Sequence, residues 1–240
     1  MQRNAIYLLL LSVAGLIALG LVMLFSTSAF ARDSHGDIYF FVKRQCMWLC
    51  IASAFGVAAA YFDYHLWQKF WWVFFVLAAF LLVLCFVPPI GMRINGSSRW
   101  IRIGMTFQPS ELAKVASLFF LAWWYSRTDI SFKNFQTGLL YPMGILGLLM
   151  LLILLEVDMG NTALIGGTAV AVMFVAGAAL RWMATLIGAG LAGIAFLAFN
   201  ISERHGRLLA FMEPEKYALG EGLQQWQALI AFGSGGFDGL

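Results

Sequence analysis

Apolar runs at residues 5–30, 46–62, 70–92, 112–125, 138–155, 162–180 and 182–199 are separated by shorter polar stretches. The first is uncharged over 26 residues, past the roughly 20 that a helix needs to cross a bilayer. It is also much longer than the about 7–15 residues of a signal-peptide core, so it reads as an uncleaved anchor in spite of Ala29-Phe30-Ala31. Each run is long enough to satisfy its backbone as a helix, and the pattern predicts a bundle rather than a barrel. The expected fold is therefore all-α, a polytopic membrane helix bundle with seven transmembrane helices over 1–200. The fourth run is the weakest by hydropathy, being short and carrying Lys114. Beyond it all lies a polar tail, 201–240, in which Leu223, Trp226, Leu229, Ile230 and Phe232 fall mostly on one helical face, as in a helix lying in the interface.

The longest polar interruption of the first half is 95–114, with three arginines close by at 93, 99 and 102 and then Glu111 and Lys114. Pro109 suits a first helical position, having no N–H to satisfy, and Glu111 then falls in the first turn, where the helix dipole favours a carboxylate. Lys114, three residues on, shares its face. Read without further context, the two form an intrahelical ion pair that lets the lysine reach outward.

Composition agrees with a membrane chain: 62% of residues are hydrophobic and 11% charged, against about 25% charged in soluble domains. Cys46, Cys50 and Cys85 lie in apolar runs, and an odd count there is not a disulfide framework. The net charge of +3 is carried on no basic run with interleaved aromatics, so nucleic acid is not an expected partner. Sorted by loop, Arg3, Lys69, Arg127, Lys133 and Arg181 share the side of the N-terminus, and the other ten basic residues lie opposite. The positive-inside rule alone puts the N-terminus outside.

Other polar residues each have a plain reading. His35-Gly36-Asp37 forms a solvated turn; Lys43 and Arg44 are boundary anchors or part of an anion site; residues 61–67 with Trp71-Trp72 form an aromatic belt, His65 among them. Asp158 and Asn161 cap and turn, with Gly160 allowing the reversal between two spans. Alternatively Glu156 and Asp158 pair with Lys114 or a loop arginine, or help hold a divalent cation.

The run Asn95-Gly96-Ser97-Ser98-Arg99-Trp100-Ile101 followed by Gln108-Pro109-Ser110-Glu111-Leu112-Ala113-Lys114 resembles the signature of the SEDS family, the RodA and FtsW proteins that polymerise peptidoglycan from lipid II. Glu156-Val157-Asp158-Met159-Gly160 is similar to the family's Gln/Glu-Pro-Asp-Leu-Gly, with Val157 in place of its proline. Gly222-Leu223-Gln224, Gln227-Ala228-Leu229 and 233–236 resemble a further family run, and 24–29 with 40–44 look closer to the division branch, FtsW.

The resemblance implies a ten-helix protein with a cytoplasmic N-terminus in the bacterial inner membrane, the opposite of the charge count. It implies that 201–240 begins a large extracytoplasmic loop. The catalytic aspartate of the family and three further helices would lie beyond Leu240, so none of these 240 residues takes that role, and the chain alone is expected to be inactive. The implied substrate-binding residues are Arg99, Lys114, Glu111, Lys43, Arg44, Gln108, Asp158 and Gln224, with Lys43, Arg44, Arg99 and Lys114 as a cation wall for a lipid diphosphate. Thr106 departs from relatives that carry a basic residue there. The implied cofactor is a divalent cation, Mg2+ or Mn2+. The implied partners are lipid II, a class B penicillin-binding protein, and other membrane proteins of the division or elongation machinery. A flippase for the lipid-linked precursor and a non-catalytic scaffold are the other two functions open at this stage.

Overall fold

A computed structural model of the chain describes residues 2–28, 37, 39–88, 90–94, 97–103, 105–200, 209–220 and 222–236. They fall into two compact units, Met1–Leu66 and Trp67–Leu240. In the first, α1 (Gln2–Ser28) packs on α2 (Phe40–Tyr61). Both are long and apolar enough to cross a membrane, and α2 buries no residue within the protein, as suits helices whose apolar side chains meet lipid. Hydroxyls inside α1 return their protons to the helix: Ser12 Oγ donates to the Leu8 carbonyl at 2.8 Å and Thr27 Oγ1 to that of Met23 at 3.0 Å.

The short α3 (Tyr64–Lys69) spans the boundary between the units, and α4 (Trp71–Leu84) opens the second bundle. The run 70–92 predicts a longer helix, but α4 ends at Leu84 and residues 85–88 turn. Pro88 has no amide hydrogen and disfavours helix in the residue before it. The chain then forms a three-stranded antiparallel sheet, β1 (Gly91–Ile94), β2 (Ser97–Ile103) and β3 (Met105–Phe107), in the order β1-β2-β3. Gly91 pairs with Ile101, Met92 with Trp100, and Arg102 with Thr106. Gly91 has to be glycine, because a Cβ there would lie 2.0 Å from the Cys85 carbonyl oxygen. The sequence predicts no sheet within the polar interruption over 95–114. The strands are short, and their alternation is masked by consecutive polar residues.

Pro109 is the first residue of α5 (Pro109–Tyr125), as its lack of an N–H predicts, and Gln108 before it is extended. The weakest span by hydropathy is the most enclosed helix of the unit: Ser110, Ala113, Ala116, Ser117, Phe120, Leu121 and Trp124 are all buried. Its small residues let α4, α6 and α7 approach closely, so it faces protein rather than lipid and does not need a uniformly apolar surface. The chain continues through α6 (Tyr141–Leu155), α7 (Met159–Val175), α8 (Leu180–Asn200) and α9 (Leu223–Gly235). Leu82, Phe120, Leu146, Leu149, Ile153, Ile165 and Met173 form the centre of the core. Of the seven helices matching the predicted runs, α1, α2 and α6 with its preceding turn meet a membrane-spanning length and composition, and α4, α7 and residues 180–196 of α8 are shorter apolar helices.

At the end of the bundle away from the sheet, Trp71 stacks on Trp123 at 4.6 Å between ring centroids and touches Phe75 and Phe120. It therefore belongs to the core packing, not to the interfacial belt that the sequence suggests; Trp72 remains exposed. His65 stays outside, 2.7 Å from Asp63. A single π turn, Gln136–Leu140, precedes α6, and two buried aromatics use its carbonyls: Trp124 Nε1 donates to Thr137 at 2.9 Å and Tyr125 Oη to Gly138 at 2.7 Å.

Candidate functional site

Side chains alternate along a strand, so Arg99 shares a face of β2 with Ile101. Ile101 is buried and β2 packs on α5, which turns that face toward the protein, while Arg102 on the other face is exposed. Arg99 meets the connection between α6 and α7 there. That connection ends α6 in a Schellman motif: the Val157 N–H donates to Leu154 at 3.0 Å and the Asp158 N–H to Ile153 at 3.1 Å. The motif needs a left-handed residue, and Val157 takes it, at φ +65°. Glycine normally fills the position, since a Cβ there costs about 1–2 kcal/mol. Proline, the residue in the family pattern, holds φ near −65° and cannot adopt it. The sequence departure at 157 is thus also a backbone departure, and Gly160, expected to make the reversal, lies instead inside α7.

Arg99 Nη2 donates to the Val157 carbonyl oxygen, and its Nε stands 3.7 Å from Asp158 Oδ2. Asp158 is buried and caps α7, accepting from the Asn161 N–H at 3.1 Å through Oδ1. Its Oδ2 accepts from Asn161 Nδ2 at 2.9 Å and from Gln108 Nε2 at 3.4 Å. Asn161 Nδ2 also reaches Ser110 Oγ at 3.0 Å, which ties the turn to the first turn of α5. One turn further along the same face, Lys114 Nζ donates to Glu111 Oε1 at 2.8 Å. The two readings of Asp158, cap and ion-pair partner, are therefore both correct, with Arg99 as the partner.

Glu156 behaves differently. It is fully buried, and neither oxygen has a hydrogen bond of normal geometry. Burial is the chief cause that pushes its carboxyl up to about 7; the neighbouring Cys85 thiol and Arg99 favour the charged form, and Asp158 opposes it. The expectation that Glu156 pairs with Lys114 or an arginine is not met in this arrangement.

The structure thus brings together Arg99, Gln108 and Asp158, and sets Glu111 and Lys114 one turn along α5. Lys43 and Arg44 belong to the first unit, where Lys43 Nζ is 2.8 Å from Asp37 Oδ2 and Arg44 is exposed on α2. Gln224 is exposed on α9. Asn95, Gly96, His35, His205 and Asp238 lie outside the described residues. Ser110, Asn161 and the backbone of Val157 belong to the site without having been singled out from sequence for this role, because their partners are about fifty positions away. The residues at the turn do not fit Mg2+ or Mn2+, which take oxygen donors. Three nitrogens face Asp158 Oδ2 alone and a fourth its Oδ1, and among the described residues no three His, Cys, Asp or Glu side chains gather as a metal site.

Residues 7–240 match the sequence model FTSW_RODA_SPOVE, described as "Cell cycle protein". The chain is 35% identical over 240 residues to a protein of Saccharophagus degradans named "Probable peptidoglycan glycosyltransferase FtsW", covering 99% of this chain and 62% of that one. It is also 35% identical over 231 residues to "Stage V sporulation protein E" of Bacillus subtilis, covering 94% and 62%. A solved structure described as "Structural coordination of polymerization and crosslinking by a peptidoglycan synthase complex" matches with a TM-score of 0.68 at 25% identity, over 94% of this chain and 66% of that one. The chain therefore spans somewhat less than two thirds of the length of these relatives.

Proposed function

Because the chain belongs to the FtsW/RodA/SpoVE family of cell cycle proteins, and is a membrane protein, we propose that the protein is a peptidoglycan glycosyltransferase that polymerises lipid II on the outer face of the bacterial inner membrane during division or elongation. The relatives' names support the activity. The single observation that carries the reading to named residues is the fixed cation Arg99, joined through Asp158, Asn161 and Ser110 to the helix face that bears Lys114.

In the proposed reaction a sugar hydroxyl of one lipid-linked chain attacks the anomeric carbon of another, and a polyprenyl diphosphate leaves. Charge grows on that diphosphate, and preorganised cations at its position lower the barrier. Arg99 offers a planar guanidinium with five N–H donors; Nη2 grips the turn and the Nε–H is buried beside Asp158, which leaves the outer Nη donors to serve an anion. Lys114 is the second cation. Glu111 holds it at the start of α5, where an unpaired ammonium would be costly in the bilayer. The general base is assigned to none of the described residues. The proposed protein partner is a class B penicillin-binding protein, and the proposed orientation has the N-terminus in the cytoplasm.

The test is lipid II polymerisation in detergent, where transport across a membrane has no meaning, by a purified protein in which this chain is joined to the family segment that carries the general base, since the 240 residues alone are expected to be inactive. Arg99→Ala and Lys114→Ala should each lower the rate at saturating lipid II, on the order of 10²-fold, with the exposed Arg102→Ala as a control that changes little. Wild-type turnover in both variants would remove these residues from the reaction. A completed protein that makes no polymer would remove the activity itself.

A further inference from the structure

Two groups at the Glu156–Asp158 turn are incompletely satisfied, and they are chemically complementary. The Arg99 Nε–H is buried without an acceptor, its distance of 3.7 Å to Asp158 Oδ2 being too long for a hydrogen bond, and Glu156 is a buried carboxyl group met only by the weak donor of the Cys85 thiol. Native interiors leave few such groups, because each forgoes its interaction with water for nothing in return. Between them sits Val157, held at φ +65° with its carbonyl in the grip of Arg99 Nη2. The titratable and charged groups facing Glu156 are Cys85 at the end of α4, Asp158 on its own turn and Arg99 from β2.

We propose that Glu156 is a positioning residue for Arg99, the alternative acceptor for its guanidinium, and that the turn passes Arg99 between two carboxylates as Val157 moves between left-handed and negative φ. In the arrangement described, Arg99 holds the Val157 carbonyl and faces Asp158, and burial favours the protonated form of Glu156. In the second, Val157 relaxes, Glu156 releases its proton to water and accepts the Nε–H, and Asp158 keeps Gln108 and Asn161. Arg99 is paired in both positions, as a largely buried guanidinium must be, and the exchange turns a different edge of its donor fork outward. The inference rests on the reading of Arg99 as a phosphate-facing cation and supplies what that reading needs: a way for an arginine already engaged with the protein to be handed on.

The experiment is a set of double-mutant cycles on thermal unfolding of the detergent-purified protein at about pH 5 and about pH 9, pairing Arg99→Gln with Asp158→Asn and with Glu156→Gln. At the acid pH Arg99 should couple to Asp158 alone. At the alkaline pH a non-additive Tm shift between Arg99 and Glu156 should appear and that with Asp158 should shrink. Val157→Pro, restricted to negative φ, should bring the Arg99–Glu156 coupling in at the acid pH, and Val157→Gly should suppress it at the alkaline one. If Glu156→Gln fails to accumulate, the infrared carboxyl band assigned to Glu156 replaces the cycle: it should persist to higher pH in Arg99→Gln than in the unaltered protein. No Arg99–Glu156 coupling at either pH in any background, or an unchanged carboxyl titration in Arg99→Gln, overturns the proposal. None of these readouts uses lipid II, so failure of the polymerase reading and failure of the switch are separable.

Discussion

Arg99 and Val157, 58 positions apart, are joined by a hydrogen bond from the guanidinium Nη2 to the carbonyl of the only described non-glycine residue with positive φ. A strand residue thereby holds a helix C-terminus in a conformation that the helix would not choose alone. The same motif closes α7, where Ala178 N–H donates to Met173 and Gly177 N–H to Phe174, but there the left-handed residue is glycine, at φ +71°. One chain thus contains the motif in its unstrained and strained forms.

Replacing Val157 by glycine should therefore stabilise the protein by about 1 kcal/mol, the penalty of a Cβ in this region less the entropy that glycine adds to the unfolded chain. Val157→Ala keeps the Cβ and should gain much less. Thermal unfolding in detergent distinguishes them, and equal Tm values for all three would show that the turn is not strained.

Stability should also depend on pH through Glu156. Its folded carboxyl is raised to about 7 from an ordinary value of 4.5, mainly by burial. An acid raised on folding is more protonated in the native than in the unfolded state between those values, so its contribution is complete below about 4.5, falls as pH rises toward 7, and is lost above. Glu156→Gln should remove that part of the slope in a Tm-against-pH series. A slope that survives the substitution assigns it to another group.

The Glu111–Lys114 pair should show in biogenesis. Glu111 is more than half exposed, so the pair itself contributes little, at most about 1 kcal/mol. A lysine left without it at the edge of the bilayer is another matter, since that position disfavours an unpaired ammonium. Membrane yield should fall more for Glu111→Ala than for the double change with Lys114→Ala. Equal yields would argue against the pair.

Orientation is testable because α5 separates two exposed sites, Thr106 on β3 and Ser131 beyond its C-terminus, and its 17 residues rise about 25 Å. With Cys46, Cys50 and Cys85 replaced, a membrane-impermeant thiol reagent added outside cells should modify Thr106→Cys and spare Ser131→Cys. The reverse pattern supports the charge count and puts the N-terminus outside.

Much of the fold is legible in the sequence because helices declare themselves locally. The seven apolar runs, Pro109 at the head of α5 and the spacing of Glu111 and Lys114 all depend on residues within a turn or two of one another. The site is less so. Nothing near Arg99 in the chain indicates that Asp158 and Val157 are its neighbours, and the strand that turns Arg99 inward and Arg102 outward is too short to show its alternation amid Ser97, Ser98 and Arg102. Glu156 next to Asp158 suggests two similar caps. Only packing separates them, giving Asp158 amide donors on both oxygens and Glu156 only the Cys85 thiol.

The low apolarity of α5 bears on how the protein is made. A helix with Glu111, Ser110, Lys114 and Ser117 in its first half is a poor candidate for entering the bilayer singly as it leaves the translocon. Its buried face of Ser110, Ala113, Ala116 and Ser117 becomes favourable only once α4 lies alongside to receive it. Helix α4, with the sheet as the connecting hairpin, therefore has to escort α5 into the membrane as a pair, and the element around which the second unit is packed is among those least able to insert unaided.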